Sequence, residues 1–112
     1  MLFRSAGGQL LDKALQRAHG TPILAEGVFG EQIALAGGRV WMSNPLDAFS
    51  HRDQRLYLDW LAGKPAGDAA LRHAPRVVLV SPGGSAQERL KDSRVFRPAA
   101  RDSNAILYLR RP

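Results

Sequence analysis

The chain has 112 residues, a net charge of +6 and no cysteine. That length gives one domain, able to bury roughly 65% of the surface its unfolded form exposes, and the missing cysteines exclude a disulfide framework and thiolate metal ligation. No apolar run approaches the ~18 residues of a membrane span, and MLFRS is too short for a signal sequence.

Sixteen Lys and Arg stand against ten Asp and Glu. The basic side chains form no run of like charge and no cluster interleaved with aromatics, so no nucleic-acid partner is expected. The three histidines are scattered, so neither a metal site nor a cofactor is expected.

Leu10, Leu11, Ala14, Leu15 and Ala18 recur at helical spacing, and Arg17, His19 and Gly20 supply a cationic last turn and a stop, which predicts a helix over 8–19. Thr21–Ala25 is a short strand, and Phe29, Ile33 and Ala36 share a helix face before Gly37. Arg39–Met42 is the next strand, broken by Asn44-Pro45. Ser50-His51-Arg52-Asp53 has the form of a capping box ahead of Leu56, Tyr57, Trp60 and Leu61, giving a helix over 51–62. GKPAG turns the chain, DAALRHA is a short helix, and Val77–Val80 is the third strand. After a helix opened by Ser85, the segments 95–97 and 105–109 flank the polar turn Arg101–Asn104 as a hairpin.

The order predicts an α/β fold: a three-layer sandwich with a mainly parallel sheet and an antiparallel C-terminal edge hairpin. Strands 22–25, 39–42 and 77–80 are expected as parallel neighbours, burying Ile23, Leu24, Val40, Val78, Leu79 and Leu107. Trp41 and Trp60 fit core positions.

The stretch VVLVSPGGSAQERL runs a strand through a glycine turn into a helix. A phosphate cradle there needs free backbone N–H groups facing the anion. Ser85-Ala86-Gln87-Glu88 reads instead as a capping box that occupies those donors, and neither G-x-x-x-x-G-K nor G-x-G-x-x-G is present. A nucleophile elbow would need G-x-S-x-G, and the last glycine is missing. His51 and His73 are the candidate bases of a serine hydrolase built on Ser85. A corner with Ser85 as helix cap is the favoured reading.

In a parallel sheet, ligands bind beyond the carboxyl ends of the strands. Glu26, Gly27, Ser43, Asn44, Ser81 and Gly83 should converge there, although Glu26 also reads as an acid opening the next helix. The set offers neutral hydrogen-bonding groups and one carboxylate, which suits a hydroxyl-rich ligand and supplies no second carboxylate for glycoside hydrolysis.

One pattern is carried by Ala25-Glu26, Arg39-Val40, Asn44-Pro45-Leu46-Asp47, Val77–Val80 and Asp102–Tyr108: a buried strand ending in a small-residue turn, then a hairpin whose second strand carries an aromatic and ends in arginines. Over about 21–111 it resembles the soluble C-terminal domain of polytopic bacterial membrane proteins of the C-superfamily glycosyltransferase type. The resemblance implies a domain on the extracytoplasmic face of the membrane, with an N-terminal membrane portion absent from this chain and the helix at 8–19 as its connection. Such enzymes use a lipid-linked sugar donor, with catalytic acids in loops of the membrane portion, so no catalytic residue carries over. The expected function is a non-catalytic accessory domain that holds a glycan or acceptor. The alternatives are a free-standing small-ligand binder at the strand ends and a serine hydrolase.

Overall fold

The computed structural model describes residues 8–40, 51–72, 76–91 and 93–111. The elements are α1 (Gly8–Ala18), β1 (Leu24–Ala25), α2 (Gly27–Leu35), α3 (His51–Leu61), a 3-10 turn (Pro65–Gly67), α4 (Asp68–Arg72), β2 (Val77–Val80), α5 (Ser85–Lys91), β3 (Phe96–Arg101) and β4 (Ile106–Arg110). Helical spacing of apolar residues therefore places α1, α2 and α3 within a residue or two of their expected bounds. Positions 41–50 and 73–75, including Trp41, Ser43, Asn44 and His73, lie outside the described residues.

The four strands form one sheet in the order β1-β2-β4-β3. Leu24 and Ala25 pair in parallel with Val78 and Leu79, and Ile23 makes an isolated parallel bridge to Val40. On the other side β4 runs antiparallel to β2, with Val78 opposite Tyr108, and antiparallel to β3. The sheet is thus mixed, where a parallel majority was expected. The reason is the closing hairpin: its second strand inserts beside β2 and its first pairs with that strand, so two of the three strand pairs are antiparallel.

That edge carries its own protection. Pro98 lacks an N–H, a register shift falls between Pro98 and Ala100, and Arg97 and Arg101 add charge, all of which discourage pairing with another strand. The hairpin turn is closed by Asp102, whose Oδ1 accepts from the N–H groups of Asn104 (2.7 Å) and Ala105 (2.8 Å), an Asx turn of the expected kind.

Strand alternation divides the core into two clusters. Leu24, Val78, Val80, Phe96, Ile106 and Tyr108 pack with Tyr57, Trp60, Ala70, Leu71, Ala86 and Leu90 from α3, α4 and α5. Ile23, Ala25, Val77, Leu79, Leu107 and Leu109 pack with Leu10, Ala14, Ala18, Phe29 and Ile33 from α1 and α2. The run VVLV is continuous because β2 is buried on both faces. Of the described residues expected in the core, all are buried except Val40, which is half-buried. Trp60 is fully buried, at the core position expected of it.

The helices on the α3 side are also joined by charge. Arg89 of α5 grips Asp68, the first residue of α4, with Nε donating to Oδ1 at 3.0 Å and Nη2 donating to Oδ2. Among the described residues no helix is long and apolar enough to cross a membrane.

Candidate ligand-binding site

Glu26 stands where β1 ends and α2 begins, with extended backbone (φ −64°, ψ 151°) at the N-cap of α2. Its N–H donates to Leu79 O (3.2 Å), continuing the parallel ladder by one step. Its side chain does not cap its own helix. It crosses to the next strand end instead, where Oε2 accepts the Ser81 N–H at 2.6 Å. One residue therefore ties the turn after β1 to the turn after β2 through both its backbone and its carboxylate.

The turn after β2 is closed from within. Gly83, at φ +76°, donates its N–H to Gln87 Oε1 (2.7 Å), and Gly84 donates to Ser81 O (3.4 Å). The capping box expected from Ser85 and Glu88 does not form. Ser85 is already the first helical residue, and the Glu88 carboxylate accepts from Lys91 Nζ (2.8 Å). Gln87 has taken the capping role because its side chain, only 8% exposed, is folded back under the turn. Ser85→Ala should consequently leave the denaturant midpoint nearly unchanged, within about 0.5 kcal/mol. Gln87→Ala should cost about 1 kcal/mol, as loss of a helix cap does.

This geometry weakens the phosphate reading at the turn itself. The N–H groups of Ser81, Gly83 and Gly84 are occupied, and Glu26 already supplies the negative charge that the positive ends of α2 and α5 favour. The elbow is absent as well, since His19 is the one described non-glycine residue with positive φ and Ser85 sits unstrained in a helix. Of the candidate bases, His51 is the first residue of α3 and His73 lies outside the described residues.

Tyr57 of α3 approaches the same corner from the other core cluster. Its buried hydroxyl donates to Ala25 O at 2.7 Å. Burial, and then the negative charge of Glu26, push its pKa up to about 12. The unfolded phenol ionises near 10, so at pH 10 to 12 the unfolded state sheds a proton that the native state keeps. Stability is therefore fully present below pH 10 and falls as pH rises through 12, by on the order of 2–3 kcal/mol. An alkaline melting series should show this fall, and Tyr57→Phe should remove it.

The structure thus brings together Glu26, Gly27, Ser81 and Gly83, while Ser43 and Asn44 lie outside the described residues. Tyr57 and Gln87 join the corner without having been singled out. Tyr57 had a signal: a phenol on an otherwise apolar helix face must find a partner for its hydroxyl. A Cβ at Gly84 would stand 3.9 and 4.0 Å from the two Glu26 carboxylate oxygens, so the missing side chain there leaves the carboxylate approachable. Among the described residues no group of three His, Cys, Asp or Glu could hold a metal ion.

No protein-family model, curated protein or solved structure matches the chain.

Proposed function

We propose that this chain is a non-catalytic binding domain that holds a neutral, hydroxyl-rich ligand such as a glycan at the carboxyl ends of β1 and β2. The Glu26–Ser81 hydrogen bond carries the reading. It commits one carboxylate oxygen to the protein and leaves the other to accept from a ligand hydroxyl beside Gly84, while the occupied turn amides disfavour an anion. Tyr57, held neutral and already donating to Ala25 O, is no general base at ordinary pH. In this proposal the domain folds as a three-layer sandwich and serves as an extracytoplasmic accessory domain beside a glycosyltransferase-like membrane portion, a setting supported by the segment order from 21 to 111.

Gly84→Ala tests the site without disturbing the fold, because the added Cβ meets only ordinary contacts of 3.6 to 4.0 Å. Calorimetric titration with neutral oligosaccharides should show binding to the native chain, weakened in Gly84→Ala at unchanged stability, and chromatography should show the sugars intact. Cleaved sugars, or equal binding by both proteins, would overturn the proposal.

A further inference from the structure

At the opposite end of β2 from Glu26, a cleft of about 390 Å³ is lined by Arg17 of α1, His19, Arg76, Arg97 of β3, Leu109 of β4 and Arg111. Arg97 is in register with Leu109, and Arg111 follows two positions later, so strand alternation puts all three on the face that α1 covers. The backbone there is fixed: Arg110 N–H donates to Arg76 O (2.9 Å) and Arg111 N–H to Val95 O (2.6 Å). Arg110, which also borders the cleft, is turned to the other face, where its guanidinium lies 5.4 Å from the Phe96 ring centre and donates to Leu71 O (3.2 Å).

Among the described residues no carboxylate lines this cleft. Arg17, Arg76, Arg97 and Arg111 therefore crowd like charge around a concave surface that no described carboxylate lines, an arrangement that focuses a positive field into it. We propose that this cleft binds a small soluble molecule through a diphosphate group. Guanidinium forks match phosphate oxygens two at a time, and forks arriving from separate elements suit an anion with oxygens on several sides. The volume lies in the range of small-ligand sites, roughly 300–1,000 Å³. Among the described lining residues Leu109 is the sole apolar one and none is aromatic, so none of them stacks on a base, as single-stranded nucleic acid would require. A concave wall also fits a compact anion better than a duplex or a bilayer surface.

The test is calorimetric titration of the whole chain with inorganic pyrophosphate, beside Arg97→Gln, Arg111→Gln and, as a charge control away from the cleft, Arg55→Gln. Arg97 and Arg111 are exposed, so their replacement leaves the fold intact. One-to-one binding is expected, weakened roughly tenfold by either cleft substitution and unchanged in the control, with amide NMR shifts at 97, 109 and 111 but not at 81–84. Absence of binding, an equal loss in Arg55→Gln, shifts at 81–84, or tighter association with duplex DNA or anionic vesicles than with pyrophosphate would each overturn the assignment. Failure here leaves the strand-end site untouched, since the two lie at opposite ends of β2.

Discussion

Gly67→Ala is expected to destabilise the protein by about 3 kcal/mol, the upper part of the range for overpacking, and to lower Tm by roughly 10 °C. A Cβ at residue 67 would stand 2.4 Å from both the N and Cα of Trp60 and 2.7 Å from the carbonyl carbon of Asp59. These are backbone atoms of α3, so no rotamer change relieves the clash. Either the 3-10 turn lifts off α3, drawing Ala70 and Leu71 out of the core, or α3 shifts and displaces Tyr57 and Trp60. Gly83→Ala separates contact from backbone strain: with φ +76° and nothing within 4 Å of its Cβ, it should cost about 1 kcal/mol. Equal midpoints for the two variants in urea would mean that the turn does not lie against α3 as described.

Glu26→Ala should cost about 2 kcal/mol, as hydrogen bonds to charged groups do, and should abolish oligosaccharide binding in the protein that remains folded. The substitution strips the Ser81 N–H of its acceptor and removes the anion from the positive ends of α2 and α5. Glu26→Gln keeps an acceptor and loses only the charge, so it should cost less than half as much. It should also bring Tyr57 part of the way back toward an ordinary tyrosine, because burial is the larger cause of its shift and persists. Unfolding curves together with an ultraviolet alkaline titration would check both effects.

The local elements were legible because each is written in short-range chemistry. Leu10, Ala14 and Ala18 mark one helix face, VVLV marks a strand covered on both sides, and Asp102 to Asn104 marks a tight turn. Sheet order was less legible. Nothing in ILYLR says that β4 will insert beside β2 antiparallel to it, since long-range pairing is decided by which faces remain to be covered. At the site, alternation and strand polarity sufficed to bring Glu26 and Ser81 together. They did not reveal that Gln87 rather than Ser85 would close the turn, because both can reach its amides and only packing chooses between them. The arginine cleft was hidden for another reason: Arg17, Arg76, Arg97 and Arg111 are far apart in the chain, and charge dispersed in sequence gives no sign of convergence in space.

The strand ends hold the protein's own carboxylate, and the Ser81 amide reports it directly. Its proton shift and hydrogen-exchange rate should be measured in the native chain and in Glu26→Gln under identical conditions. A strongly downfield, slowly exchanging proton is expected in the native chain, moving upfield and exchanging faster when the charge is removed. An amide with the same shift and the same exchange rate in both proteins would show that Glu26 is not its acceptor, and the proposed site would lose its foundation.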